Sequence, residues 1–367
     1  MKKIHNIYVV SLLLGLLLSM GACTNVQPLD LDDSAQAQLL ERDTKKWAEE
    51  KAAHDKNLAD SARIAEENAR LYAAYLEDLR AYKKTDHLLM FGWFASWNPT
   101  SPDKTFTMDH MPDSVDFISN WGPWNNLSEP MKADLAKVQA KGTRVTIGWI
   151  IENVGDGVWN IKPQLPDDPY KAIDMYVQAL CDSIAKYNYD GMDIDYEPSF
   201  ASPFKNGNHC GDWSESWSDN KALISCSATE NKELENYFFR EMRKKLPKEK
   251  MLNINGSLDW LDPEVYDCFN YFVAQSYNNT GARWYNSVSA LLQRKGLSPK
   301  QIIITESFQT NKGNADRFVN NYAKYAKTTV NGNIGGIGAF HINEDWLHSG
   351  YKNLREAIQV MNPAFKE

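Results

Sequence analysis

Eight short apolar, β-prone runs follow one another between Leu88 and Ile342, most of them separated by amphipathic helical stretches. The runs are Leu88–Trp93, Val115–Ser119, Arg144–Trp149, Gly191–Tyr196, Met251–Gly256, Tyr271–Tyr277, Ile302–Ser307 and Ile334–Ile342. Helical patterns lie among them at Pro169–Lys186, Asn231–Lys245, Ala315–Lys327 and Leu354–Met361. Eight strands over residues 88–367 match a (β/α)8 TIM barrel in number and in length. An open doubly wound sheet is the alternative, but it usually brings a glycine-rich phosphate loop after an early strand, and none is present. In a barrel, functional groups belong at the C-terminal ends of the strands and in the loops that follow.

The fourth run reads Tyr189-Asp190-Gly191-Met192-Asp193-Ile194-Asp195-Tyr196-Glu197-Pro198. Alternate residues of a strand share a face. Asp193, Asp195 and Glu197 therefore point one way, and Met192, Ile194 and Tyr196 the other. The apolar set suits the helix side, so the carboxylates project into the barrel with Glu197 nearest the C-terminal mouth. Clustered, buried carboxylates repel one another and lose hydration. At least one is expected to have a raised pKa and to hold a proton near neutrality, as a general acid must. A surface strand and a divalent-metal site are the competing readings. The metal reading is weakened because no histidine is near in sequence and an apolar barrel core offers few other oxygen ligands.

The string from Asp190 to Glu197 fits DGxDxDxE at every defined position, and so resembles the signature of glycoside hydrolase family 18. The resemblance covers the barrel and not the region before it. It implies retaining cleavage of β-linked N-acetylglucosamine by substrate assistance, outside the usual two-carboxylate scheme. By resemblance, Glu197 protonates the leaving oxygen, Asp195 orients the acetamido group and stabilises the oxazolinium ion, and Asp193 modulates Asp195 from deeper in the barrel. Asp190 has a structural place where the chain enters the strand.

The sixth run ends Val273-Ala274-Gln275-Ser276-Tyr277-Asn278. Gln275 and Tyr277 share a face, point inward with the acids and need hydrogen-bond partners, which an acetamido group in the mouth would supply. Family chitinases usually carry Met-x-Tyr-Asp here. Endo-β-N-acetylglucosaminidases acting on N-glycans often carry Gln-x-Tyr, the form present. Two departures from the chitinase pattern point the same way. Thr146-Ile147-Gly148-Trp149 lacks Ser-x-Gly-Gly, and Gly338-Ala339-Phe340-His341 lacks the tryptophan that floors the sugar site, leaving Phe340 or Trp346 to substitute. The function expected is an endo-β-N-acetylglucosaminidase cleaving the GlcNAc-β-1,4-GlcNAc core of N-glycans. The alternatives are a chitinase or chitooligosaccharide hydrolase, and a surface glycan-binding protein weak in catalysis. No cofactor and no metal are expected.

Twelve tryptophans punctuate the chain, and ten of them fall at or just after strand ends. Rigid aromatic surfaces around an acidic cleft suit stacking on the C–H faces of sugars. Trp97, Trp121, Trp213, Trp217, Trp346 and Phe340 are the expected substrate-binding set. Trp213 and Trp217 belong to a long loop after the fourth strand, about 199–230, of a length that is usually functional. Cys210 and Cys226 lie in the same loop and are candidates for a disulfide.

Upstream, Ser34–Lys84 has no glycine or proline, ten basic residues, ten acidic residues and twelve alanines, a strongly helix-favouring mixture. Leu58, Ala62, Ala65, Ala69, Tyr72, Leu76 and Leu79 form one seam along it. The later part, near Tyr72 to Tyr82, is expected to pack on the barrel and the earlier part to act as a spacer. Before it, a basic head and an apolar run of about fourteen residues, Ile7 to Met20, read as a signal peptide rather than a membrane span. Met20-Gly21-Ala22-Cys23 resembles a bacterial lipobox, the alternative being an ordinary secretory signal cleaved nearby. The resemblance implies lipidation at Cys23 and an outer-membrane lipoprotein, on the cell-surface or the periplasmic face. The expected division is a signal peptide over 1–22, a tether and helical extension over 23–84, and a catalytic domain over 85–367. The formal charge of −8, with 43% hydrophobic and 24% charged residues, excludes a polytopic membrane protein and a disordered chain, and argues against a nucleic-acid partner. The expected partners are a GlcNAc-containing glycan and, through the lipid, a membrane; the expected state is a monomer.

Overall fold

A computed structural model describes residues 33–151, 154–158, 160–197, 228–278, 288–309 and 317–363, with side chains described from 44 onward and, after the loop, from 232. Cys23, Cys210, Cys226, Trp159, Trp213, Trp217 and Trp284 lie outside the described residues. The chain divides into two units, Met1–Tyr72 and Ala73–Glu367.

Helix α1 (Asp33–Tyr82) matches the glycine-free segment almost to the residue. In the first unit its side chains from Thr44 to Tyr72 are exposed, Trp47, Leu58 and Tyr72 among them. In the second unit Leu76 is half-buried and Leu79 buried. There Tyr75 donates to Asp113 Oδ2 at 2.7 Å, and Arg80 donates to the Ala140 carbonyl at 2.9 Å. Within the second unit these contacts fall inside the stretch, Tyr72 to Tyr82, that was expected to pack on the barrel. Among the described residues no helix is long and apolar enough to cross a membrane.

Eight parallel strands close into a barrel in sequence order: β1 (Leu89–Ala95), β2 (Phe117–Trp121), β3 (Arg144–Ile150), β4 (Gly191–Tyr196), β5 (Met251–Gly256), β6 (Tyr271–Gln275), β7 (Ile302–Ser307) and β8 (Gly336–Phe340). The barrel closes where β8 pairs with β1, Gly336 opposite Leu89 and Phe340 opposite Trp93. This is a (β/α)8 TIM barrel. The eight expected runs all form strands, with ends that differ by at most two residues from those read in the sequence.

The helices form for legible reasons. In α3 (Pro169–Lys186) the Asp168 side chain caps the Lys171 amide at 3.0 Å, and Pro169 occupies the first turn where no amide is needed. Ala172, Ile173, Tyr176, Val177, Leu180 and Ile184 form one buried stripe. Each large member contributes roughly 1.5–3 kcal/mol by leaving water. Asn188, at φ 56°, stops the helix and turns the chain into β4. Also present are α2 (Glu129–Ala140), α4 (Ala228–Lys245), α5 (Asp345–Ser349) and α6 (Lys352–Met361). Between β7 and β8 the described helical residues, 317–329, are wound mainly as π-helix, over Val319–Ala323 and Tyr325–Thr329.

Strand alternation divides the core. Outward residues, including Met192, Ile194 and Tyr196 of β4, join the large cluster between barrel and helices. Inward residues form a second cluster of Phe91, Trp93, Phe117, Met251, Val273 and Ile303, with Trp121, Tyr271, Tyr277 and Phe340 packed against it. The bottom of the interior is thus sealed by apolar side chains. Cys181 is a half-buried free thiol and Cys268 a buried one.

Candidate active site

β4 places Asp193 and Asp195 on its inner face, and Glu197 follows directly after its last residue. Asp193 is fully buried, Asp195 nearly so, and Glu197 half-buried. The chain reaches this position because β5 ends in Gly256, at φ +94° opposite Tyr196. A Cβ there would collide with the Tyr196 carbonyl and come within 3.2 Å of Glu197 Cγ, so only glycine leaves room for the carboxylate.

Each acid has its own surroundings. The Trp93 indole N–H donates to Asp193 Oδ2 at 2.8 Å. Ser119, Asn255 and Trp93 each work to lower its pKa, although Asp193 Oδ1 and the Ser119 hydroxyl make no hydrogen bond of proper geometry. Burial dominates and pushes the Asp193 carboxyl up to about 6. The Gln275 side-chain amide donates to Asp195 Oδ1 at 3.0 Å and to Asn255 Oδ1 at 3.0 Å. Asn255 is oriented in turn by donating to the Ile194 carbonyl at 3.1 Å. Burial first, and then the charges of Glu197 and Asp193, raise the Asp195 carboxyl well above its ordinary range. Two buried carboxyls this close cannot both ionise freely, so the Asp193–Asp195 pair retains a proton into the neutral range. The proton anticipated from the sequence resides on these two.

Tyr277 closes the site from the end of β6. Its ring lies edge-on to Trp93 at 6.5 Å and stacks on Phe340 at 6.0 Å. Burial, and then the charges of Asp195, Glu197, Asp193 and Glu306, hold its phenol proton far more tightly than usual. It is therefore an O–H donor at neutral pH. Phe340 also meets Trp93 and Trp121 edge-on, both at 6.1 Å. The interior thus offers a half-buried carboxylate at the mouth, a proton-retaining pair beneath it, an amide and a phenol beside them, and an aromatic wall.

The sequence from 56 to 360 matches the family model described as glycoside hydrolase family 18, BT1044-like. The chain belongs to that family. A solved structure of a BT1044 variant is 28% identical, with 79% of this chain and 93% of that one covered at a TM-score of 0.63. An endo-β-N-acetylglucosaminidase from Cordyceps militaris is 20% identical, covering 78% of this chain and 95% of that one at a TM-score of 0.56. A family 18 chitinase from Pseudoalteromonas aurantia is 16% identical, covering 73% and 99% at a TM-score of 0.50. The latter two show a shared fold. Among curated proteins none matches.

The family 18 barrel sorts the aromatic residues in ways the sequence did not. Trp121 and Phe340 line the interior beside Tyr277. Trp346 instead stacks on His110 at 5.6 Å and packs against Tyr351, within the cluster outside the barrel. Of the two candidates for the floor, Phe340 is the one at the acids. Trp97 does not fit the expected sugar-binding set. It is only 4% exposed, and its indole N–H donates to Asp134 Oδ2 of α2 at 2.8 Å, so its ring is spent on strand–helix packing. Trp124, 1% exposed and edge-on to Trp149, is likewise a packing residue.

Several site residues were missed. Trp93, absent from the expected substrate-binding set, is the one tryptophan that donates to Asp193 among the described residues. Asn253, Asn255 and Ser119 line the same interior, and Asn253 is fully buried with both amide atoms unpartnered. A signal was available: Met251-Leu252-Asn253-Ile254-Asn255 has polar residues at alternate positions of an apolar strand, the same period that marked the acids. Asp190 serves structure, accepting from the Val145 amide and the Gln139 side chain, both at 2.8 Å. Gly148, on the strand lacking Ser-x-Gly-Gly, leaves space that the Ser119 hydroxyl occupies.

Proposed function

We propose that this protein is a retaining, substrate-assisted endo-β-N-acetylglucosaminidase that cleaves the GlcNAc-β-1,4-GlcNAc core of N-glycans. The observation that carries this reading is the Gln275 amide on the Asp195 carboxyl, with the Tyr277 phenol beside it and Glu197 above. An N-acetyl group needs an acceptor for its N–H, a donor for its carbonyl and an apolar wall for its methyl and ring. Asp195, Tyr277 and the Phe340–Trp121 wall answer those needs in turn. Glu197 is the general acid, protonating the glycosidic oxygen as the acetamido oxygen attacks the anomeric carbon. Asp195 holds the acetamido N–H and offsets the oxazolinium charge. When substrate binds, the proton that the pair retains moves onto Asp193, which leaves Asp195 ionised against the acetamido N–H. Water then opens the oxazolinium with Glu197 as base, so the configuration is retained.

The Gln-x-Tyr form at the end of β6 favours N-glycans over chitin, and the similar enzyme from Cordyceps militaris bears the same activity in its name. A related structure of that enzyme holds fucosyl-N-acetylglucosamine-Asn. The test is incubation with a high-mannose glycoprotein, a complex-type glycoprotein and chitotetraose, with products weighed by mass spectrometry. Glycan release that leaves one N-acetylglucosamine on the protein supports the proposal. Chitobiose from the oligomer would make it a chitinase, and binding without turnover a lectin. A Glu197→Gln variant with near-normal turnover would sink the assignment of the acid. The proposal also covers the N-terminal region: a signal peptide over 1–22, a lipid on Cys23, and a helical extension holding the monomeric catalytic domain at the outer membrane. Metabolic labelling with a tagged fatty acid tests the anchor, since the label must be lost in Cys23→Ala.

A further inference from the structure

The residues that set the position of Tyr277 lie behind the barrel wall. On β7 the residues alternate, with Ile303 in the inner cluster and Ile302 and Ile304 in the outer one. Glu306 continues the outer series and is 1% exposed. Its Oε1 accepts the Asn278 amide at 2.7 Å and the Ser307 amide at 2.8 Å. A charged acceptor makes such bonds about twice as strong as a neutral one. Asn278 follows Tyr277 directly and sits at φ +54°, a left-handed conformation that asparagine tolerates better than most residues. The residue before Tyr277 is held as well. The Tyr322 hydroxyl, from a fully buried side chain, donates to the Ser276 carbonyl at 2.6 Å, and the Ser276 amide donates to the Thr305 carbonyl at 3.1 Å. Tyr322 lies in the π-helical turn Val319–Ala323, a distortion often found where a helix serves a functional site.

We propose that Glu306 and Tyr322 are positioning residues: one from the outer face of β7 and one from the π-helical turn, they clamp the main chain on both sides of Tyr277 and so aim its phenol at the substrate's acetamido carbonyl. Neither touches substrate. Both act where the ladder to β7 ends, with the Ser276 amide on the Thr305 carbonyl, and where Tyr277 and Asn278 form a turn beyond the strand. An ångström of drift at a donor atom is enough to lose much of its contribution to the transition state. The proposal rests on the role given to Tyr277 above.

The experiment compares wild type with Glu306→Ala, Glu306→Gln, Tyr322→Phe, Tyr277→Phe and each clamp variant combined with Tyr277→Phe, using the best glycan substrate found. Glu306→Ala should lower kcat by roughly 10–100-fold with KM changed less than about threefold, and Glu306→Gln, which still offers an acceptor oxygen, should recover much of it. Tyr322→Phe should lower kcat by roughly 3–10-fold. In the Tyr277→Phe background both losses should shrink below about twofold, because a clamp with nothing to aim has no effect. Full losses that persist in that background, or kcat near wild type in the single variants, overturn the proposal. Should Glu306→Ala fail to fold, Tyr322→Phe removes a single oxygen and carries the cycle alone. Crystal structures supply a readout independent of turnover: the Tyr277 ring must move from its 6.0 Å stack on Phe340 in the clamp variants. If wild type cleaves no N-acetylglucosaminide, the proposed function fails, and an unmoved ring then overturns the clamp as well.

Discussion

Replacing Asp193 with asparagine should make the protein more stable and less active, and the gain should depend on pH. Asp193 is fully buried and its carboxyl rises from 3.8 to about 6, mainly through lost hydration. The folded state therefore binds this proton more tightly than the unfolded state. Its contribution to stability is whole below the unfolded value near 4 and is lost as pH rises through about 6. A rise of roughly two units, at about 1.36 kcal/mol each, corresponds to ~3 kcal/mol. The substituted amide has nothing to ionise, keeps an oxygen for the Trp93 indole, and removes one of the charges that hold the Asp195 proton in place. Chemical unfolding of Asp193→Asn and wild type at about pH 3.5 and about pH 8 measures the difference. The variant should gain roughly 1–3 kcal/mol relative to wild type between those two conditions, while kcat falls at both. Equal relative stability at the two pH values, or a variant less stable in alkali, would refute the claim that this carboxyl is buried at a cost.

Other perturbations follow from the same geometry. Gln275→Leu removes the hydrogen bond that lowers the Asp195 carboxyl, so the acidic limb of kcat against pH, where Asp195 must ionise, should move upward as kcat falls by roughly 10–1000-fold. Phe340→Ala should weaken substrate binding and turnover while leaving a folded protein, whereas Trp97→Ala should cost about 3–5 kcal/mol of stability in thermal unfolding and change kcat of the folded fraction little. Gly256→Ala should crowd Glu197 and strain a positive φ, lowering activity in the same assay more than its loss of stability in thermal unfolding explains.

Much of this was legible locally. Periodicity of two on β4 assigns the inner and outer faces of Asp193, Ile194 and Asp195 from the sequence alone, because a pleated strand leaves no other choice. The ends of α3 were readable from Asp168-Pro169 and the apolar spacing. Reading tryptophans as a group was less successful. Proximity to a strand end does not say which face a ring takes, and one step along β1 separates Trp93, in the interior, from Phe94, in the outer core. Trp97 lies two residues past that strand and turns to Asp134 instead of the mouth.

What the sequence determined by itself is the barrel, the face that carries the acids and the family, since strand period, element alternation and a contiguous motif are all local. Only closure of the barrel decided which groups meet. Trp93 and Asp193 are 100 positions apart, Gln275 and Asp195 are 80, and Tyr322 and Ser276 are 46. Hydrogen bonds across such separations depend on strand tilt and register around the whole ring, to which every strand contributes and which no single segment encodes.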